Sequence, residues 1–229
     1  KSGGWNVRAG SIPAFNPERV RDVEAGAKLD WFDRRLRTNI ALFYSWTRGL
    51  QKQIGGLVPG TTQPTQFLIN AGNSHIYGAE FEVTALPWEG MELSGNLSLL
   101  DGGYEKGSFT EIQSVGGTNV VVDRSNEPLP QLAKVQFMVG ATQRLPISVG
   151  ELRLHLDYAY IGPMSITPVT AAPGVSAGVR ATYDTQNALT RIKGYGLLNG
   201  RVAVQLDNPN IEMFAFARNI LDKKCTSRV

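Results

Sequence analysis

Apolar and polar residues alternate along most of this chain with a period of two residues. The alternation is clearest in residues 151–160, where leucines and tyrosines occupy every second position and mostly charged or polar side chains occupy the others. A period of two places successive side chains on opposite faces of a β-strand, whereas a helix repeats after roughly 3.6 residues. The segment is therefore predicted to be a strand with one apolar and one polar face.

The same pattern predicts about eight strands. They cover residues 22–30, 36–47, 76–85, 91–99, 134–143, 151–160, 196–206 and 211–218. The last strand is ambiguous, because Phe214 and Phe216 share their parity with Glu212 and Arg218. Several strands reach roughly 9 to 11 residues, the length that a tilted strand needs to cross a membrane, while strands of globular proteins average about 5 or 6. The lengths favour a membrane sheet.

The connections between these strands alternate between short and long. Short turns lie at 31–35, 87–90, 146–150 and 207–210, and long polar loops lie at 55–66, 101–131 and 162–191. Outer-membrane barrels have tight turns at the periplasmic rim and extended loops at the outer rim. The predicted fold is therefore all-β, an antiparallel transmembrane β-barrel of the outer-membrane type.

Aromatic residues fall at the short-turn rim of the predicted sheet. Trp31, Phe32 and Trp88 flank the first two turns. Amphipathic rings suit the interface between hydrocarbon and headgroups, although the same rings could cap an ordinary hydrophobic core. The order of the loops favours the membrane interface.

Composition and charge exclude several classes of protein. The 229 residues carry a net charge of +3, and Lys and Arg are scattered without a stripe that nucleic acid could follow. Cys225 is the single cysteine, and His75 and His155 show no metal-ligand spacing. Glu80 and Glu82 share a strand face without a catalytic arrangement around them. We expect no enzyme activity, no cofactor, no metal site and no nucleic-acid partner.

A series of short motifs runs through nearly the whole chain. They are Asn-Pro-Glu-Arg-Val at 16–20 with Val-Glu-Ala-Gly-Ala-Lys-Leu at 23–29, Leu-Arg-Thr-Asn-Ile-Ala-Leu-Phe-Tyr at 36–44, Asn-Ala-Gly-Asn at 70–73 with Gly-Ala-Glu-Phe-Glu at 78–82, Tyr-Gly-Leu-Leu-Asn-Gly-Arg at 195–201, and Arg-Asn-Ile-Leu-Asp-Lys-Lys at 218–224. In this order and spacing the chain resembles the C-terminal part of the barrel of TonB-dependent outer-membrane receptors.

The resemblance implies a partial barrel domain over residues 1–229. Barrels of such transporters have about 22 strands, and we expect that a plug domain, a TonB box and the closing strand are not included here. Cys225 stands where the family places a tyrosine, and Val229 ends the sequence without a final aromatic strand. The two ends of the chain therefore resemble interior pieces of a longer series of strands.

The resemblance also implies a function and a set of partners. The parent protein would lie in the bacterial outer membrane and take up a scarce, bulky solute, most often an iron–siderophore complex. Its partners would be outer-membrane lipid, the plug of the parent chain and, through the plug, the TonB complex. Two alternatives remain open from the residues alone: a complete small barrel acting as a pore or adhesin, and a soluble β-rich carbohydrate-binding module.

Two groups of side chains are candidates for the functional site. The first is predicted to face the barrel lumen, and it comprises Glu24, Lys28, Arg37, Glu80, Glu82, Lys134, Arg153, His155, Asp157 and Arg201. The second is predicted to contact ligand from the outer loops, and it comprises Tyr104, Arg124, Arg180, Tyr183 and Arg191. The alternatives are a solvated network of paired charges in the lumen and mobile surface residues in the loops.

Overall fold

A computed structural model describes residues 1–5, 14–57, 64–115 and 118–224 and shows a nearly all-β chain. The strands are β1 (Arg19–Trp31), β2 (Leu36–Arg48), β3 (Gln51–Leu57), β4 (Pro64–Asn70), β5 (Ser74–Ala85), β6 (Met91–Tyr104), β7 (Thr110–Val115), β8 (Thr118–Asp123), β9 (Val135–Ile147), β10 (Gly150–Ile161), β11 (Met164–Ser165), β12 (Arg191–Ile192), β13 (Tyr195–Leu206) and β14 (Ile211–Ala217), and the helix is α1 (Ala177–Thr190). The prediction of an all-β fold is confirmed.

The long strands form one antiparallel sheet of eight, in the order β1-β2-β5-β6-β9-β10-β13-β14. Each corresponds to one of the strands predicted from alternation. In the described part of the chain β1 and β14 are the two edges and do not pair with each other, so the sheet is not a closed barrel. The pairs β3–β4, β7–β8 and β11–β12 form small separate hairpins or bridges in the connections.

The register gives the sheet one polar and one apolar face. Partners directly opposite each other point to the same side, and Leu42 on β2 lies between Ala25 on β1 and Ala79 on β5. The next residue, Ala41, points to the other side, where it lies opposite Glu80. The ambiguity in β14 is resolved by its register: Phe214 lies opposite Ala203 of β13, on the polar face.

Aromatic rings border the apolar face at both ends. Trp31 lies at the short-turn rim and Trp46, in contact with Tyr44, at the long-loop rim. Trp46 is opposite Arg21, so the two rims are ten residues apart along β1. Ten residues extend about 33 Å, or about 25 Å across the membrane at a tilt of about 40°, which is the height of the apolar band in outer-membrane barrels.

The side chains of this band are exposed, as lipid-facing residues must be in an isolated sheet. Val23, Leu42, Val139, Leu156 and Val202 are each about half exposed. The tryptophans at the short-turn rim keep their polar atoms satisfied, as the indole of Trp88 donates to Gln143 Oε1 at 2.9 Å. Within the described residues, no helix has the length and apolar character needed to cross a bilayer.

The long loops contain more regular structure than the sequence pattern predicted. The predicted loop at 55–66 overlaps the hairpin of β3 and β4, and the loop at 101–131 includes the end of β6 and the hairpin of β7 and β8. The loop at 162–191 contains α1, whose N-cap Ser176 accepts a hydrogen bond from the amide of Val179 at 3.4 Å. The hairpin strands are short, and a helix repeats after about 3.6 residues, so these elements lack the sustained two-residue period that identified the long strands.

A tyrosine ring on the apolar face leaves space only for glycine at position 196. A Cβ at Gly196 would overlap the Tyr158 ring, which lies across the glycine backbone. We expect Gly196→Val to displace this ring and to lower the free energy of unfolding by about 1–3 kcal/mol. Urea unfolding of the full receptor in detergent measures the loss. Gly103→Val is the control, because no described atom lies within 4 Å of its Cβ position; equal losses in both variants would contradict this account.

Candidate functional site

The polar face of the sheet carries the predicted lumen residues of five strands. By register, one face carries Glu24, Lys28, Arg37, Glu80, Glu82, Arg153, His155, Asp157 and Arg201. That this face lines a lumen stays a prediction. Lys134 is different: it precedes β9, and its ammonium pairs at 2.7 Å with Asp101, which lies opposite Tyr77 on the apolar face.

Charges near the short-turn end of β10, β13 and β14 form a compact network. Arg153 lies between two carboxylates, 3.1 Å from Glu151 Oε1 and 3.5 Å from Glu212 Oε2. Arg201 donates to the same Glu212 and stacks 4.5 Å above the Phe214 ring. Two cations and two anions balance here. Sequence analysis placed both arginines on this face but missed Glu151, Glu212 and Phe214, whose roles depend on the register between strands.

Further polar contacts join neighbouring strands elsewhere on the polar face. Asn39 donates to Glu82 Oε2 at 2.9 Å, and Asn199 donates to Asp157 Oδ2 at 2.8 Å. His155 Nδ1 lies 2.8 Å from the Thr142 hydroxyl. Such contacts fix these side chains in place on the wall.

The first strands of the sheet carry charges that are not paired in this way. Glu24, Lys28 and Glu80 form no hydrogen bond or ion pair with another described side chain. Arg37, by contrast, pairs with Asp30 at 2.8 Å. These unpaired charges on β1 and β5 are free to contact another molecule.

The outer loops pack around a small hydrophobic core. It consists of Ala71, Tyr104, Phe109 and Leu129, which we call the loop core. Leu50, Ile69, Ile76 and Leu132 pack against it. Phe109 is only 1% exposed, and its ring lies 5.0 Å from that of Tyr104. The connections β2–β5 and β6–β9 are therefore folded together.

A buried charge cluster extends the loop core. It consists of Lys52, Glu111, Arg124 and Glu127. Arg124 is 5% exposed and binds Glu127 through two bonds of 2.6 and 2.9 Å. It also donates to Glu111 Oε2 at 2.6 Å and to the Pro168 carbonyl at 2.8 Å. The Pro168 contact brings the β10–β13 connection into the same unit.

Lys52 completes the charge cluster from the β3–β4 hairpin. Its ammonium is 3.8 Å from Glu127 Oε2 and 4.5 Å above the Phe109 ring. Burial lowers the pKa of Lys52 below its ordinary value, the nearby charge of Arg124 lowers it further, and Glu127 and Glu111 oppose that change. Two positive and two negative groups leave the cluster with no net charge, which is the arrangement that buried charges require.

The predicted ligand-contacting residues have different places in the loops. Tyr104 belongs to the loop core and Arg124 to the charge cluster, so both are buried in this conformation. Tyr183 lies on α1, and its hydroxyl donates a hydrogen bond to Gln113 Oε1 at 3.4 Å. Arg180, on the same helix, is exposed. Arg191 lines a cavity of about 1030 Å³ together with Tyr160, Ser165, Thr170 and Asn187. Ligand contact by these residues stays a prediction.

The cavity beside Arg191 offers space for a small molecule next to the β10–β13 connection. Its volume is at the upper end of the range of ligand pockets, and its walls combine apolar residues with hydroxyl, amide and cationic groups. A second cavity, of about 600 Å³, lies against β10, β13 and β14 at the edge of the sheet, away from the loops. No three His, Cys, Asp or Glu side chains among the described residues are arranged to hold a metal ion. Cys225 and Val229 lie outside the described residues.

Comparison with known proteins connects this sheet to one family. A family model for the TonB dependent receptor-like β-barrel matches residues 2–220. The ferric yersiniabactin uptake receptor FyuA from Yersinia pestis has a TM-score of 0.65 and 17% sequence identity over 97% of this chain and 28% of its own. The siderophore receptor PiuA from Acinetobacter baumannii has a TM-score of 0.62 and 18% identity over 91% of this chain and 25% of its own.

A metal transporter has the same fold. The copper transporter OprC has a TM-score of 0.61 and 13% identity, over 93% of this chain and 27% of its own. At these identities the likeness shows the fold of the sheet. The chain spans about a quarter of the length of each of these three proteins.

Proposed function

Because this chain belongs to the TonB dependent receptor-like β-barrel family, we propose that it forms part of the barrel wall of a receptor that actively takes up a scarce, bulky solute, an iron–siderophore complex. The family is one of outer-membrane transport receptors and not of enzymes, and the chain is an outer-membrane segment. The observation that carries the proposal is the family match over residues 2–220. The alternative of a soluble carbohydrate-binding module is wrong, because proteins of this family lie in the outer membrane.

The positions of the polar face and of the outer loops support a different role for each. The polar face would line the barrel and contact the plug of the parent chain, with the unpaired Glu24, Lys28 and Glu80 as the accessible charges. The outer loops would contribute to solute capture at the cavity beside Arg191. Energy would come from the TonB complex acting on the plug. Iron is preferred as cargo because solved relatives of this fold include receptors for ferric yersiniabactin and other siderophores.

Uptake by the full receptor tests the proposed function. The complete protein would be expressed in a strain that lacks its other iron receptors. Uptake would be measured with radioactive iron for a panel of ferric siderophores and with radioactive copper for free copper. We expect uptake of at least one ferric siderophore, and none when TonB is deleted. Uptake that persists without TonB would indicate a passive pore, and uptake of copper alone would overturn the choice of solute.

Arg191 offers a prediction about capture. A guanidinium in the cavity can form a charge-assisted hydrogen bond with an anionic chelate. We expect Arg191→Ala to raise the half-saturating concentration of the transported complex about ten-fold, because about 1.5 kcal/mol of binding is lost. The maximal rate should remain unchanged. Arg34→Ala, at the opposite rim, is the control; a reduced maximal rate with unchanged half-saturation would contradict a role in capture.

A further inference from the structure

Three arginines lie on the apolar face at the long-loop end of β1 and β2. Arg19 and Arg48 are directly opposite each other in the register, and Arg21 is opposite Trp46 one step closer to the membrane centre. All three are exposed. We call Arg19, Arg21 and Arg48 the arginine patch. Its position is unusual because most of this face is apolar or aromatic.

The arginine patch has no counter-charge among the described residues. None of its members forms an ion pair with another described residue. The nearest carboxylates of β1, those of Asp22 and Glu24, belong to the other face, and Glu18, which precedes β1, accepts a hydrogen bond from the Gln51 amide at 2.9 Å. Like charges directly opposite each other on a sheet are destabilising. An anion bound at this position would offset that repulsion.

The level of the arginine patch identifies the source of that anion. Immediately toward the membrane centre, the rings of Tyr44, Trp46, His75 and Tyr77 form a continuous aromatic group on the same face. Such rings mark the boundary between hydrocarbon and headgroups. Arginines on the lipid side of the sheet, at and just beyond this boundary, lie at the depth of the headgroups.

We propose that the arginine patch binds phosphate groups of anionic lipid in the outer leaflet of the outer membrane. The planar guanidinium matches phosphate through two parallel hydrogen bonds, and cationic side chains at a membrane surface attract anionic headgroups. Lys134 on the same face does not serve this purpose, since Asp101 already neutralises it at 2.7 Å. The proposal concerns the lipid contact of the wall and does not depend on which solute is transported.

Lipid binding by the full receptor tests this proposal. The purified protein in neutral phosphatidylcholine nanodiscs would be titrated with bisphosphorylated lipid A and with dephosphorylated lipid A. We expect the triple variant R19Q/R21Q/R48Q to bind the phosphorylated lipid at least about ten-fold more weakly, because three cationic contacts are lost. Binding of the dephosphorylated lipid should be the same in both proteins.

A matched control removes three cations elsewhere. The variant K28Q/R34Q/R37Q changes residues of β1, β2 and their turn that lie on the polar face or at the short-turn rim, and it should bind lipid A as the parent protein does. If the triple variant folds poorly, R48Q alone should still weaken binding about two- to three-fold. Unchanged affinity in the arginine variants, or an equal loss for both lipids, would overturn the proposal and point to a carboxylate on a neighbouring strand as the partner.

Discussion

Replacing Arg124 with methionine should release the outer loops from one another while the membrane sheet remains folded. Removing one partner of a buried ion pair leaves the other charges uncompensated, at a cost of about 3–5 kcal/mol. Glu127 is 6% exposed and would lose both of its bonds to the guanidinium. Glu111 would lose its 2.6 Å contact as well. We expect the charge cluster, and with it the loop core, to open.

Protection of the loops from protease measures this effect. In the full receptor, cleavage within residues 105–131 and 162–176 should become at least ten times faster in Arg124→Met, since a loss of 3 kcal/mol shifts an opening equilibrium by about a hundred-fold. Arg180→Met is the matched control, because this side chain is exposed on α1 and forms no ion pair with another described residue. Equal protection in both variants would show that the loops are held together in some other way.

A second large effect is expected from an arginine placed at the centre of the apolar face. Ala79 lies near the middle of β5, with Leu42 and Leu99 opposite it. Ala79→Arg would put a cation into hydrocarbon, which costs about 2–4 kcal/mol at the membrane midplane. The amount of folded receptor in the outer membrane should fall accordingly.

The neighbouring strand offers the same substitution on the other face. Ala41 lies at nearly the same depth on β2, opposite Gly26 and Glu80. Ala41→Arg would place its charge beside the unpaired carboxylate of Glu80, so we expect folding close to that of the parent protein. The ratio of heat-modifiable to unfolded receptor on gels compares the two variants. If Ala41→Arg were the more damaging one, the assignment of the two faces would be reversed.

Much of the sheet could be predicted from sequence because each long strand carries its own signal. In β10, leucines at 152, 154 and 156 alternate with Arg153 and His155. This alternation predicts which residues share a face before any partner strand is known. The register then places the predicted polar residues of five strands on one face. Where alternation failed, as at Phe214, only the pairing with Ala203 decided the face.

The loops could not be predicted in the same way, because their structure depends on contacts between distant segments. Lys52 and Glu127 meet across the loop core, and Arg124 reaches the Pro168 carbonyl. Nothing in the local sequence around Arg124 distinguishes a buried ion pair from an exposed ligand contact. The helix α1 could have been anticipated from Ser176 followed by Ala, Arg, Gln and Leu, although none of its residues is buried and its apolar face is weak.

The distance between the two aromatic rims also determines which bilayer suits this sheet. A band of about 25 Å is shorter than the roughly 30 Å of an average hydrocarbon core, whereas the bacterial outer membrane is thinner than average. In a thicker bilayer the guanidiniums of Arg19 and Arg48 would be drawn toward the acyl chains, or the lipid around them would have to thin. Hydrophobic mismatch therefore penalises this sheet in the inner membrane, and the thickness of its apolar face contributes to sorting the protein to the outer one.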